Sequence, residues 1–292
     1  MIACDPAVAR VVTLVEKGKI RRAGISELRS ASFDVVLQCV TNSATKYGLI
    51  SKFIAPHAVI AGLAHRERPE YEGLYSALIE VPDLYSRHYV DIMLEFARQV
   101  FHVESDARER SPRIVVEPLV EESADHFFAE HHLRRGEPVL VNCSAAQPTK
   151  RWPLEQYHAL LTLLTAQGKS VLLSSVIADR PLVDALIAQH GAVPINAPTI
   201  RHLASISERC AMIITPDTAV VHVASATGTP VVALYADLNN VVAQWLPYHV
   251  PFRAVRSASA HVGSITAAQV ADAMNNLEQE IQQTSTLRHG TI

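Results

Sequence analysis

The feature that most constrains this chain is an alternation in its carboxyl half, where short apolar runs recur between longer segments of helical period. Residues 138–143 (PVLVNC) have the pattern of a buried strand. In residues 153–167, Leu154, Tyr157, Leu160, Leu161 and Leu164 fall on one helical face, Pro153 takes a first-turn position and Gly168 ends the helix. The same reading predicts strands at 169–175, 192–195, 211–215 and 230–235. Helices are predicted at 179–189, 199–209, 218–227 and from 266 to about 283. With a helix between successive strands the connections are crossovers, so the half reads as a doubly wound α/β domain with a parallel sheet.

The amino half repeats this theme, with strands expected at 33–40 (FDVVLQCV) and 57–62, a helix at 43–53 and an amphipathic helix at 89–103. Two similar lobes are implied, which suits 292 residues at roughly 150 per domain. Residues 105–117 are charged and carry Pro112 before a β-branched run, and residues 131–137 are polar. The boundary is placed near Arg134 to Gly136, giving domains 1–134 and 135–292 with a frayed polar tail at 284–292.

Composition narrows the function classes. Hydrophobic residues make up 49% of the chain, enough for two cores, and 26 Lys+Arg against 29 Asp+Glu supply no field to recruit nucleic acid. Cys4, Cys39, Cys143 and Cys210 form no CxxC pair and read as reduced core thiols. The 14 histidines show neither HxH nor HExxH spacing, so they read as solvated surface and no metal site is expected. No run reaches the 18 or so apolar residues of a membrane span and no leader pattern opens the chain, so the expected compartment is the cytoplasm.

Chemistry concentrates in two segments. In the first, residues 215–222 (TPDTAVVH), an apolar strand ends at Thr215, Asp217 and Thr218 stand at a helix start, and His222 lies one turn after Thr218 on the same face. That arrangement aims backbone N–H groups, a hydroxyl and an imidazole at the carboxyl edge of a parallel sheet, a natural seat for a diphosphate. Helix capping by Asp217 and Thr218 with a partly buried histidine explains the same spacing, and local pattern leaves the two readings level. In the second, residues 142–153 (NCSAAQPTKRWP), Lys150 can reach a phosphate at that edge and Ser144 can donate from the strand end, while Trp152 reads as a packing residue that pins the loop.

Together these segments resemble the family 9 glycosyltransferases, the bacterial ADP-heptose:lipopolysaccharide heptosyltransferases. The motif of lysine, aromatic, proline and following helix matches Lys150, Trp152, Pro153, Glu155 and Tyr157. The signature of proline, aspartate, threonine, small residue, two apolar residues and histidine, then Gly-Thr-Pro, matches Pro216 to His222 and Gly228 to Pro230. The resemblance runs from about Ser30 to Asn276 and is stronger after Pro138. It implies the two-lobed GT-B fold and inverting transfer of heptose from ADP-heptose to a lipopolysaccharide core, another glycan or a lipid-linked acceptor.

By that resemblance Lys150 neutralises the donor diphosphate, and Asp217, Thr218 and the helix start with Ala219 hold phosphate and sugar. Ser144 touches the diphosphate, His222 supports the site and Asp179 binds the nucleoside ribose. It implies no tightly bound organic cofactor, with a divalent cation such as Mg as an option. Peripheral contact with the inner face of the inner membrane is a further expectation, with Arg108, Arg110, Arg113, Arg134 and Arg135 either facing an anionic surface or simply solvated.

Three departures from the family pattern stand out. Ala219 replaces the usual glycine after Asp-Thr, and residues 235–240 (YADLNN) replace the usual aromatic, glycine and proline. The chain opens Met-Ile-Ala-Cys-Asp5-Pro6, so the first strand, its helix and the family's catalytic aspartate are expected to be missing, Asp5 reads as a turn residue, and the base is unassigned. An incomplete first lobe leaves open sheet edges, for which a homo-oligomer is the expected cover. The alternative to an active transferase is a catalytically impaired subunit that still binds nucleotide sugar. A nucleotide-sugar epimerase ranks third, because the extra acidic and histidine residues it would need in the first lobe are not found.

Overall fold

The computed structural model describes residues 15–16, 19–20, 22–39, 44–64, 71, 73–81, 83, 86–103, 111–236 and 241–289. The chain divides into two compact units, residues 2–110 with 243–245, and residues 111–242 with 246–292.

In the first unit a short antiparallel hairpin, β1 (Val15–Glu16) and β2 (Lys19–Ile20), precedes α1 (Arg22–Ser30). Three parallel strands follow in the spatial order β3 (Val35–Gln38), β4 (Val59–Ala64), β5 (Ala77–Glu80), with Val35 beside Val59 and Ala61 beside Ala77. Helix α2 (Ala44–Ile54) lies between β3 and β4 in sequence, and α3 (Tyr89–Phe101) follows β5. Ala61 and Leu63 of β4 pack with Ile92 and Phe96, which lie four apart on α3. At its start His88 Nδ1 accepts from Val90 N at 3.1 Å, and at its end His102 takes a left-handed φ of 54°. Gly62 stands where the Tyr75 ring presses on β4, a contact with no room for a Cβ.

The second unit is a six-stranded, wholly parallel sheet in the order β11-β10-β9-β6-β7-β8. Its strands are β6 (Val139–Asn142), β7 (Val171–Ser174), β8 (Val193–Pro194), β9 (Met212–Pro216), β10 (Val231–Tyr235) and β11 (Phe252–Arg256). Helices α4 (Pro118–Glu130), α5 (Leu154–Ala166), α6 (Arg180–His190), α7 (Ile200–Glu208), α8 (Ala219–Thr227) and α9 (Ala267–His289) complete it. Strand side chains alternate between two cores: Val139, Val141, Leu173 and Ile214 meet α5, α6 and α9, whereas Leu140, Leu172 and Ile213 meet α4, α7 and α8.

Two sequence expectations change here. The second unit begins at Ser111, not near Arg134, because α4 belongs to it: Ala124 and Phe128 pack with Leu140 and Ile213. Arg209, only 1% exposed, holds α4 by ion pairs of 2.7 Å to Glu121 and 2.9 Å to Asp125. Its guanidinium also donates to Ser205 O at 2.7 Å, so a buried charge is answered from two helices. Cys143 and Cys210 are buried as expected, but Cys39 is exposed. Cys4, Asp5, Arg108 and Arg110 lie outside the described residues, as does the departure at 237–240.

Candidate functional site

The parallel sheet points all its carboxyl ends to one edge, and its order fixes where a crevice opens there. From β6 the chain moves outward through β7 and β8, then returns to β9 on the other side and moves outward through β10 and β11. The loops after β6 and β9 therefore leave in opposite directions from adjacent strands, the switch point at which open α/β sheets bind ligands. Both motif segments lie on these two loops.

Lys150 ends a 3-10 turn, Pro148–Lys150, and its Nζ reaches across to Asp217 Oδ2 at 2.6 Å, both side chains being 24% exposed. The loop that carries it is pinned as the sequence predicts: Trp152 is buried, its indole N–H donates to Ile265 O at 2.8 Å, and its ring meets Tyr157 edge-on at 4.8 Å. Arg151 Nε donates to Ala145 O at 3.1 Å, closing the loop on itself. Asp217 follows Pro216 at the end of β9 and is fixed by its backbone N–H donating to Leu234 O at 2.9 Å.

Thr218 caps α8, its hydroxyl accepting from Val220 N at 3.3 Å. Ala219 is the first residue of α8 and is exposed, so its methyl lies at the solvent side of the helix start. His222 is exposed on α8, not the partly buried histidine of the structural reading. Ser144 is buried, and its hydroxyl oxygen accepts from Val176 N at 3.0 Å, which ties the loop after β7 to the loop after β6.

Asp179 closes the 3-10 turn Ile177–Asp179 at the start of α6 and is half-buried, with no capping hydrogen bond from its side chain. Its charge lies close enough to reinforce the effect of burial on the Cys143 thiol, whose pKa is pushed well up first by burial and then by Asp179. Across the crevice, burial, and after it the Asp217 charge, raises the Tyr235 phenol, with Arg256 at the end of β11 opposing.

The structure thus gathers Lys150, Asp217 and Thr218, with Ser144 linked to them through Asn142, while the Asp179 side chain, at the start of α6, shares no hydrogen bond or ion pair with them. Sequence reasoning missed three contributors. Asn142, at the end of an apolar strand, hydrogen-bonds Ser144, Thr215 and Thr218 at 3.0 to 3.3 Å, and its only signal was a polar residue closing the run VLVN. Val176 and Ile177, 58% and 95% exposed, form an apolar patch between Ser144 and Asp179. Among the described residues no three His, Cys, Asp or Glu side chains converge as a metal site, and no helix is long and apolar enough to cross a membrane. Arg134 and Arg135, considered for a membrane face, pair with Glu137 and Asp125 at 3.2 Å.

Comparison with known proteins gives the following. The family model described as "Glycosyltransferase family 9 (heptosyltransferase)" matches residues 21–270. Lipooligosaccharide heptosyltransferase 2 of Haemophilus influenzae is 27% identical over 154 residues, 49% of this chain and 44% of that protein. The chain therefore spans less than half the length of this curated relative. The crystal structure of a family 9 glycosyl transferase from Veillonella parvula superposes with a TM-score of 0.77 at 20% identity, covering 94% of this chain and 84% of the other. E. coli heptosyltransferase WaaC with ADP superposes with a TM-score of 0.67 at 15% identity, covering 88% and 76%. The fold is that of these proteins, the GT-B class with parallel-sheet lobes.

Proposed function

Since the chain belongs to glycosyltransferase family 9, the heptosyltransferases, we propose that the crevice between the β6 and β9 loops binds the diphosphate of an ADP-linked sugar and that the protein transfers the sugar, a heptose, to a lipopolysaccharide-type glycan with inversion. The observation that carries this reading is the Lys150–Asp217 pair at 2.6 Å across the switch point, beside the capped start of α8. An ammonium has three donors; Asp217 takes one and orients the rest toward the crevice. The positive end of the α8 dipole and the Thr218 and Ser144 hydroxyls add to this without adding mobile charge.

In the transfer, an acceptor hydroxyl oxygen bonds to the anomeric carbon while the bond from that carbon to the diphosphate oxygen breaks. The electron pair leaves with ADP, and Lys150 and the helix start stabilise the charge that develops there. The acceptor proton passes to a base that none of Lys150, Asp217 or Thr218 is assigned to be. The ribose is bound by Asp179 and the base lies against Val176 and Ile177, an apolar surface beside a carboxylate. His222 supports the helix start from its exposed face. The reading carries no resident organic cofactor, and places the reaction in the cytoplasm, where a lipid-linked acceptor presents its glycan at the membrane face.

Calorimetric titration with ADP and ADP-heptose, combined with an acceptor-dependent turnover assay on the same preparation, tests this. Binding with turnover is the expected result. Binding without turnover would reassign the protein as a donor-binding subunit, and absence of binding to either nucleotide would overturn the reading.

A further inference from the structure

Asn142 is 4% exposed at the end of β6, and its side chain reaches the carboxyl ends of three adjacent strands. Its Nδ2, with two hydrogens, donates to Ser144 O and Thr215 Oγ1, both at 3.0 Å, and shares one of them with Thr218 Oγ1 at 3.3 Å. Its Oδ1 accepts from Ser144 N and Ser174 Oγ, both at 3.3 Å. The orientation of the amide is not arbitrary: Ser144 O can only accept and Ser144 N can only donate, so exchanging Nδ2 and Oδ1 would set like against like at both.

This orientation decides the polarity of the crevice. Thr218 Oγ1 receives Val220 N and a share of Asn142 Nδ2, both at 3.3 Å, and it lies 3.2 Å from Thr215 Oγ1. Thr215 gives its own hydrogen to Pro216 O at 2.8 Å, so of the two hydroxyls it is Thr218 that donates, to Thr215 Oγ1. Ser144 Oγ likewise receives Val176 N and keeps its hydrogen to give. Both hydroxyls are thereby held as donors, Ser144 with its hydrogen unspent and Thr218 with one that a diphosphate oxygen can take over from Thr215 Oγ1, the polarity an anionic ligand requires.

We propose that Asn142 is a positioning residue of the donor crevice: through its amide it fixes Thr218 and Ser144 relative to each other, with the Thr218 hydroxyl turned to donate to the bound diphosphate. This rests on the donor-binding reading above. Its test is a double-mutant cycle of Asn142→Ala and Thr218→Val, each titrated with ADP and with inorganic pyrophosphate, with cooperative thermal unfolding as the check on folding. Asn142→Ala is expected to weaken ADP binding at least tenfold, and to weaken it less than threefold when Thr218→Val is already present. An equal loss on both backgrounds, or a single-variant loss below threefold, overturns the proposal.

If Asn142→Ala does not unfold cooperatively, Asn142→Ser, which keeps a small neutral polar side chain but is too short to span the three strand ends, carries the same cycle with the same limits. Amide hydrogen exchange without ligand separates this proposal from the functional reading. Faster exchange at Ser144, Val176 and Val220 together in the Asn142 variant is expected even if the wild type binds neither probe, which would overturn only the functional reading. Unchanged exchange at those three amides overturns the positioning role.

Discussion

The Lys150–Asp217 pair makes a prediction whose sign distinguishes two roles for the carboxylate. An ADP phosphate entering the crevice gains the Lys150 ammonium and meets the Asp217 charge. Lys150→Ala removes one charge-assisted hydrogen bond, worth about 1.5 to 3 kcal/mol. It also leaves Asp217 unpaired, and a unit charge at 4 Å repels by about 1 kcal/mol in water and about 4 kcal/mol at an effective dielectric of 20. Both side chains open on the crevice, each 24% exposed, so the value for water is the floor of this repulsion. The expected total is about 2.5 to 4 kcal/mol, a loss of ADP affinity of roughly a hundredfold to a thousandfold.

Asp217→Ala alone frees the Lys150 side chain, restoring up to about 2 kcal/mol of rotamer entropy that binding must then remove. It also relieves about 1 kcal/mol of repulsion, so the net loss is about fivefold or less. The double variant should therefore bind ADP about fivefold more tightly than Lys150→Ala, because the orphaned carboxylate is gone. Calorimetry on the four proteins measures this directly. A loss for Asp217→Ala as large as that for Lys150→Ala, or a double variant weaker than either single one, would refute the argument and make Asp217 a direct ligand.

Three further outcomes follow from the same structure. Arg209→Met leaves Glu121 and Asp125 in solvent but removes the tie between α4 and α7 and the donations to Ser205, so urea unfolding should show a loss of about 1.5 to 3 kcal/mol from the charge-assisted hydrogen bonds that Arg209 gives up; a change under 1 kcal/mol would contradict it. His158 Nδ1 and His190 Nε2 lie 3.0 Å apart, and burial, then the His158 ring, holds His190 below its ordinary value of 6.5. The unfolded chain thus takes up this proton first, stability is full above about pH 6.5 and falls as pH drops below it, and His190→Gln should flatten the thermal-midpoint profile there; an unchanged slope refutes the assignment. Burial pushes the Cys210 thiol up to about 12 and Cys143 higher still, so in the native protein a thiol reagent should modify exposed Cys39 before either, and mass mapping that finds Cys210 labelled first would exclude this core.

Much of the second unit was legible because its strands are apolar on both faces and its helices have one dominant apolar stripe. Strands predicted at 138–143, 211–215 and 230–235 shift by only a residue or two at their ends, the usual play at element boundaries. The misses have common causes. Strand β11 reads FRAVR, and arginine stems covering a partly exposed edge strand leave no apolar run to detect. Helix α4 falls between the polar stretches 105–117 and 131–137 and is not assigned from sequence, because the Arg209 side chain that pairs with its Asp125 lies 84 residues away. The Lys150–Asp217 crevice was partly legible from its motifs, but the role of Asn142 was not, since its partners Thr215 and Thr218 are 73 and 76 positions distant.

The same geometry separates what stabilises the domain from what it can bind. Along β6 and β7 every residue is buried, and in each strand the polar side chain is the last: Asn142 and Ser174. On β9, Thr215 likewise comes after three apolar residues. Burying such groups is tolerable only where each finds partners, and at the carboxyl edge each finds the others. Most of the apolar burial lies in the strand bodies and the helices over them, while the edge network fixes the direction of the Thr218 and Ser144 donors in the crevice. Substitutions such as Thr218→Val and Asp217→Ala should accordingly act on ligand affinity with a small change in thermal midpoint, whereas Leu140→Ala or Ile213→Ala, buried completely two residues before Asn142 and Thr215 in their strands, should lower stability by about 2 to 5 kcal/mol. A ligand-free midpoint that fell as far for Thr218→Val as for Ile213→Ala would show that the edge and the core are one cooperative network, and the separation would fail.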